Sequence, residues 1–518
     1  MTQRIRLSAQ DAVFLLAETR NTPIHVAGLQ VFKVPDGASP HYVSELFADL
    51  RSHPVSAAPF NYRLSHGVMG KLMPSWEILD DIDLDYHLRH SALPYPGGER
   101  ELGVLVSRLH SIPMDLSRPL WEFHLIEGLE NNRFAIYCKL HHALVDGVNS
   151  IRLINLVSDP AKSFGEPIWA EKSGDRDKNR AGRSGLIEAL PSLVRQEAMA
   201  LPSMAQGLIT SAMAAAGVAR DDDLASINEA PRTILNVKIG GQRRVATHVA
   251  SVDRIKAIGR GAGGTLNDVV LAACGGALRR YLDDLGELPD ETLIASVPVA
   301  LHRDAGDASG NAVASLAVRL GTDTANVRTR FDQVKRSSAA GKAHLGKMSN
   351  TAAMNFTLLM ATPVLLTTLP LVGALVPPPF NLIISNVPGP RDKLYLHGAE
   401  MEAYYPVSQV GHGQALNITV LSYAGQLAFG FVSCRDSVPH MQRLAVYMGE
   451  AIEELESTFL GKAATGKSKS ARDAKQRKKP AGKARKKSAK RKAAPRNKRS
   501  GERTAGKPAA KKAKRGSR

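Results

Sequence analysis

Cysteine is scarce: three in 518 residues, Cys138, Cys274 and Cys434, far apart and with no Cys-x-x-Cys pair. That excludes a disulfide framework and a cysteine-rich zinc site, and it fits a reducing compartment. Met1–Gln10 is polar and has no apolar stretch, so no signal peptide is expected. Long apolar runs are also missing. Residues 348–390 carry no charged side chain, but Pro363, Pro370 and Pro377–Pro379 interrupt them, and Asn350, Asn355 and several threonines dilute them. No uninterrupted span of about 20 apolar residues remains for a membrane crossing. The segment reads first as a buried helix pair lining a hydrophobic tunnel, then as a monotopic membrane-contact surface, and last as a true span. Zincin and Gly-x-Ser-x-Gly motifs are absent, which disfavours metalloprotease and serine-esterase chemistry. No short-period repeat occurs.

What is present is basic charge, unevenly placed. The net charge of +19 arises in the last 58 residues, 461–518, which hold 25 of the 68 Lys+Arg and only two acids, Asp473 and Glu502. The body is left mildly acidic, at −4. The tail has almost no large apolar side chains, cannot offset its chain entropy by burial, and is expected to be disordered.

Length points to two domains of roughly 200 residues. The first reads as 1–160. It holds a helix over Ser8–Glu18 and strands at Ile24–Phe32, Trp121–Gly128 and Phe134–Leu140, the last two joined through Glu130-Asn131-Asn132. A helix is expected over Gly147–Ser158. A linker with a connecting helix follows at 161–229. The second domain, 230–460, shows a helix at Thr265–Asp283 and strands at Thr292–Val299 and Asn381–Ser385. It closes with a hairpin, Ala415–Ser422 with Gln426–Cys434, and a helix at Met441–Leu455. Interleaved strands and helices give an α/β or α+β class with mixed sheets.

The chemistry is expected at Leu140-His141-His142-Ala143-Leu144-Val145-Asp146-Gly147, where a strand ends and a helix begins. Adjacent residues of an extended chain face opposite ways, so the two histidines should not share a metal. A neutral imidazole suits removal of a proton from an alcohol. Asp146 could pair with a basic group and brace the loop, and Gly147 permits a tight turn. A bare His-His pair reads more readily as core or surface histidines. The full His-His-x-x-x-Asp-Gly string resembles the signature of the CoA-dependent acyltransferase superfamily, which includes chloramphenicol acetyltransferase and nonribosomal peptide condensation domains.

Further blocks narrow the resemblance. Leu7-Ser8-Ala9-Gln10-Asp11-Ala12-Val13-Phe14 with Ile24-His25-Val26, Pro119-Leu120-Trp121-Glu122, Asn267-Asp268 and Ser385-Asn386-Val387-Pro388-Gly389-Pro390 occur in order. With the histidine motif they make the chain similar to the bacterial wax ester synthase/diacylglycerol acyltransferase family over most of residues 1–460. The basic tail has no counterpart there. The resemblance implies two similar chloramphenicol-acetyltransferase-like domains with the active site between them. It implies transfer of a fatty acyl group from acyl-CoA, a substrate rather than a cofactor, to a long-chain alcohol or diacylglycerol, without an acyl-enzyme or metal. His142 would be the general base, with His141 and Asp146 as supports.

Other residues have competing readings. Asn267 could donate to substrate or oxyanion or cap its helix, and Asp268 could act through the same helix end. Trp121 reads as strand-start packing before acyl contact. Ser385 and Asn386 are turn chemistry or site lining. His25, His124, His302 and His412 look isolated. Gly259-Arg260-Gly261-Ala262-Gly263-Gly264 fits Gly-x-Gly-x-x-Gly without a preceding buried strand, so a plain loop is expected before a CoA phosphate contact. Gly461–Ser468 matches a phosphate-loop string by chance.

Basic runs such as Arg485–Lys487 and Lys511–Arg515 suit a polyanion: an anionic membrane or lipid-droplet surface, or nucleic acid bound non-specifically. A solubilising tail with no partner is the plain alternative. The expected location is cytoplasmic, on the inner membrane face or lipid inclusions. The competing functions are acylation of a non-lipid acceptor and a catalytically dead polyanion-binding protein.

Overall fold

The computed structural model describes residues 4–7, 14–15, 17–65, 74–144, 156–170, 223–225, 229–300, 313–348 and 377–461. Contacts divide the chain into Met1–Ala464 and Thr465–Arg518, and every described residue lies in the first unit. In chain order the strands are β1 (Arg4–Arg6), β2 (His25–Lys33), β3 (Tyr62–Leu64), β4 (Ser75–Ile78), β5 (Leu88–Ala92), β6 (Trp121–Leu129), β7 (Arg133–His141), β8 (Arg243–Ser251), β9 (Ile294–Ala300), β10 (Val313–Arg319), β11 (Leu382–Val387), β12 (Tyr395–Leu396), β13 (Ala399–Val407), β14 (Leu416–Tyr423) and β15 (Gln426–Cys434). The helices are α1 (Tyr42–Ser52), α2 (Leu84–His87), α3 (Glu99–Ser111), α4 (Val252–Ala262), α5 (Leu266–Leu285), α6 (Val327–Leu345) and α7 (Gln442–Leu460).

Two six-stranded mixed sheets dominate, one in the order β12-β13-β2-β7-β6-β5 and the other β10-β9-β11-β14-β15-β8. This is the expected mixed α/β class. Hairpin chemistry explains the central pairings. Asn131 and Asn132, both at positive φ, turn β6 into β7, and Ala424 and Gly425 do the same between β14 and β15. Consecutive left-handed residues match the twist of the flanking strands. Strand β7 is buried along nearly its whole length, its even-numbered side chains in one apolar cluster and Ala135 and Tyr137 in another. That double-faced burial explains its run of apolar residues.

One chain crossing departs from the sequence reading. Residues 230–460 were expected to build the second domain alone, but β12 and β13 extend the first sheet, with β13 antiparallel to β2. The alternation in β13 carries no label for which sheet it joins. The sheets approach closely there: a Cβ on Gly430 of β15 would lie 1.8 Å from the Pro406 carbonyl oxygen of β13. Only a residue without a side chain fits.

Helix α5 is the buried spine of the second half, with Val269 to Leu278 almost wholly enclosed. Gly275 lets the chain at Leu320 pack against it, since a Cβ there would sit 2.2 Å from the Leu320 oxygen. Helix α3 lies between the halves. Ser107 Oγ and Ser111 Oγ accept the backbone N–H groups of Val245 and Arg243 on the edge strand β8. These bonds cover donors that an edge strand would otherwise leave open.

The Gly259–Gly264 string is not the expected loop. Gly259 and Gly261 lie inside α4, and Gly263, at φ 64°, is its left-handed cap. Gly261 meets Phe459 and Leu460 at the end of α7, so helix packing explains these glycines. Leu156–Ser158, expected to end a helix, are not helical, and Val157 bridges Tyr395. No helix among the described residues is long and apolar enough to cross a membrane. Most of the Ser8–Glu18 helix, the 171–217 linker and connecting helix, residues 349–376 and the basic tail lie outside the described residues.

Candidate active site

The two motif histidines sit where β7 ends and a turn begins, and the structure gives them different surroundings. His141 is the last residue of β7 and fully buried. Its Nδ1 accepts the Ala143 backbone N–H at 3.0 Å, and its Nε2 lies 2.5 Å from Glu18 Oε2. A nitrogen that accepts an N–H carries no proton, so the hydrogen is on Nε2 and is donated to Glu18. The hydrogen bonds thus select one tautomer of His141, and both ring nitrogens are engaged. Its carbonyl accepts the Leu144 N–H at 2.9 Å, which closes the turn.

His142 is half-buried. Its backbone N–H donates to the Ile24 carbonyl at 3.0 Å, and its ring stacks on Phe14 at a centroid distance of 4.4 Å. A small apolar cluster of Trp76, Met114, Leu120 and Ala143 surrounds the turn, with Phe14, Leu15 and Leu144 against it. Backbone and ring are therefore both oriented by the N-terminal segment. Asp146 and Gly147 lie outside the described residues.

Beneath the turn, β2, β6, β7 and α3 enclose a chain of polar groups. Lys139 Nζ is buried and donates to Glu122 Oε2 at 2.9 Å, Ile112 O at 3.1 Å and Leu109 O at 3.4 Å. All three ammonium hydrogens have acceptors, and the cation neutralises the carbonyl end of α3. Glu122 also faces His124 Nε2 at 3.1 Å. Burial works against the Glu122 charge, but His124 and Lys139 outweigh it and hold the carboxyl at about 2. His25 Nε2 donates to the His110 carbonyl. His110 Nε2 donates to Ser408 O, and its Nδ1 accepts from the Tyr137 hydroxyl. Burial lowers His110 to about 3 and His25 well below its ordinary value. His25 and His124 are therefore not isolated, and His412 Nδ1 accepts the Ile239 N–H. His302 lies outside the described residues.

A second constellation forms at the start of α5. Thr265 is the N-cap. Its hydroxyl accepts the Asp268 N–H at 3.2 Å, while Asp268 Oδ2 accepts from the Thr265 backbone and hydroxyl at 2.8 and 2.7 Å. This reciprocal capping box makes Asp268 an architectural residue. Thr265, not Asn267, performs the capping. Asn267 instead meets Asn386 at the end of β11, whose Nδ2 donates to Asn267 Oδ1 at 3.4 Å. The Asn-Asp and Ser-Asn blocks, 119 residues apart, are thus adjacent. Ser385 lies opposite Thr419 in the parallel β11–β14 pair. Trp121 is fully buried, between His87 and Trp169, with its indole N–H on the Phe60 carbonyl.

Glu18 had no assigned role in the sequence, and Phe14 was only part of a matching block. The available signal was an acid closing an apolar stretch, but nothing local shows that its partner lies 123 residues onward. No group of three or more His, Cys, Asp or Glu among the described residues could hold a metal ion.

Two family models match the chain: the wax ester synthase/diacylglycerol acyltransferase catalytic domain over residues 7–270, and the corresponding C-terminal domain over 309–456. A putative diacylglycerol O-acyltransferase of Mycobacterium tuberculosis is 42% identical, the match covering 87% of this chain and 97% of that one. The O-acyltransferase WSD of Acinetobacter baylyi is 37% identical, over 87% and 96%. Among solved structures, the wax ester synthase/diacylglycerol acyltransferase of Marinobacter aquaeolei superposes with a TM-score of 0.70 at 35% identity, covering 88% of this chain and 99% of its own. The first condensation domain of the calcium-dependent antibiotic synthetase matches with a TM-score of 0.54 at 17% identity, over 88% and 95%, and shares the fold.

Proposed function

Because the chain belongs to the wax ester synthase/diacylglycerol acyltransferase family, we propose that it transfers a fatty acyl group from acyl-CoA to the hydroxyl of a long-chain alcohol or diacylglycerol, with His142 as general base. The observation that bears on the choice of base is that both His141 ring nitrogens are engaged in holding the turn, which makes His141 a support. His142, the second histidine of the motif, is half-buried and oriented through its backbone and ring face.

In this reading His142 takes the alcohol proton as the oxygen attacks the thioester carbonyl. The tetrahedral intermediate collapses with cleavage of the C–S bond, and the imidazolium returns the proton to the departing thiolate. Charge is balanced at each step and no acyl-enzyme forms. Asn267, whose side-chain oxygen is taken by Asn386, keeps its NH2 group to donate to substrate or to the oxyanion. Ser385 would line the same region. Asp146 would brace the turn and Gly147 would permit its tight backbone. Trp121 supports β6 from the core, without acyl contact.

The tail supports a finer proposal. Its 25 basic residues suit anionic headgroups, at about 1 kcal/mol per Lys or Arg near the surface. That charge would bring a peripheral enzyme to the cytoplasmic membrane face or a lipid inclusion, where its substrates partition. Nucleic acid is the other polyanion it would bind, without base recognition, since no aromatic residue is interleaved.

The test is release of free thiol from palmitoyl-CoA with hexadecanol or dipalmitoylglycerol as acceptor. Alcohol-dependent release that His142→Ala abolishes is expected, with the ester identified by chromatography. Release with polar acceptors alone would move the assignment to a non-lipid acceptor. Full activity in His142→Ala would remove the base.

A further inference from the structure

We propose that Arg243, on the edge strand of the second sheet, is a positioning residue for the catalytic turn: it pins the Thr19–Thr22 turn, whose two flanks hold the two motif histidines. This rests on His142 being the base.

Arg243 is 3% exposed. One guanidinium nitrogen, Nη2, donates to the Asn21 carbonyl at 2.6 Å, and Nη1 donates to the Gly240 carbonyl at 2.6 Å. No carboxylate lies within ion-pair distance of it among the described residues. A buried cation satisfied by carbonyls alone is an expensive way to hold two loops together, since a desolvated charge usually needs an opposite one. Burial lowers the guanidinium to about 10, so it stays charged at neutral pH. The rigid fork reaches two segments at once, which a single ammonium cannot do equally well.

The segment it grips is compact. Thr22 N donates to Thr19 O at 3.0 Å, and the two threonine hydroxyls lie 2.7 Å apart. One residue before this turn is Glu18, the partner of His141 Nε2. Two residues after it is Ile24, whose carbonyl holds the His142 N–H. The chain 18–24 is thus a clamp with one jaw on each histidine, and Asn21 at its tip is held from the other half of the molecule. A second contact reinforces the grip. Gly241 packs flat on the same tip, where a Cβ would meet Asn21 Oδ1 at 3.5 Å and Arg20 O at 3.7 Å. The backbone N–H of Arg243 is fixed on α3 through Ser111 Oγ at 2.8 Å, so the anchor is itself anchored. Arg243 reaches the two histidines only by way of residues 18–24, so its effect falls on how well the imidazole is aimed.

The experiment uses the full chain and compares Arg243→Met, Arg243→Lys and Gly241→Val with wild type and His142→Ala, each assayed well below its own thermal midpoint. Arg243→Met is expected to lower kcat about 10- to 100-fold, the scale of a lost supporting contact, with KM for palmitoyl-CoA and hexadecanol within about twofold. Arg243→Lys recovers part of kcat by restoring one bond. In Gly241→Val the Cβ makes only ordinary contact with the tip, but the two γ-methyls beyond it need the space of Asn21 Oδ1 and Arg20 O, so this variant is expected to shift the same tip from a different residue and lower kcat with the same unchanged KM. If Arg243→Met does not fold, Gly241→Val decides alone. Folded variants at wild-type kcat, or losses confined to KM, would overturn the coupling while leaving His142 in place. An active His142→Ala would remove the base and the coupling with it.

Discussion

His141 shows how one residue's hydrogen bonds determine what it can do. To take a proton on Nδ1 it would have to give up the Ala143 N–H, and its Nε2 proton is already directed at Glu18. Removing Glu18 leaves a buried N–H without an acceptor, at a cost of about 1–3 kcal/mol. Glu18→Gln keeps a neutral oxygen in place and should lose less than Glu18→Ala. Urea unfolding midpoints and kcat are expected to fall in the order wild type, Gln, Ala. Equal midpoints for all three would show that the bond contributes nothing to holding the turn. The sequence made the histidine pair legible because its spacing is a recognisable string. Glu18 was not legible, because its role depends on β2 and β7 being neighbours, a relation between segments more than a hundred residues apart.

At the scale of elements, α5 separates architecture from chemistry within two adjacent residues. Asp268 closes the capping box with Thr265, and Asn267, one position earlier, reaches Asn386. Thr265→Ala removes a cap and should cost about 1 kcal/mol. Its effect is expected in stability, with KM for palmitoyl-CoA unchanged, whereas Asn267→Ala should reduce kcat with little change in the unfolding midpoint. Denaturant unfolding paired with steady-state kinetics checks both, and the reverse pattern would exchange the two roles. Elements with a strong local signal were readable in advance: β6 and β7 around the asparagine turn, α5 as a helix over Thr265–Asp283, and the β14–β15 hairpin. Others were not. The glycines of α4 looked like a loop because glycine signals freedom locally, while their actual cause is close packing on α7. Strand β13 went unread, and its pattern could not have said that it joins the first sheet, since pairing partners follow from the tertiary arrangement.

Across the whole molecule, the polar groups beneath the turn make stability depend on pH. His110 belongs to α3, the helix that touches both sheets. Tyr137 and Lys139 face it from β7, His25 from β2 and Arg243 from β8, and none of these carries a negative charge at neutral pH. Burial therefore keeps His110 neutral down to about pH 3, and it also lowers His25 and His124. In the unfolded chain these rings take up protons near pH 6.5, so below that value the unfolded state binds more protons and stability falls with pH. Glu122 acts in the same direction at lower pH. Its folded value of about 2 gives stability that is present above its unfolded pKa near 4.5 and is lost as pH falls toward 2. The unfolding free energy should be flat near pH 8 and decline below about 6.5, with His110 alone contributing about 2 kcal/mol of loss by pH 5. Urea titrations from pH 8 to 5 measure this, and His110→Gln, which keeps polar contacts without a titrating ring, should flatten the slope. A midpoint independent of pH over that range would mean that these histidines bind protons in the folded protein just as they do in the unfolded chain.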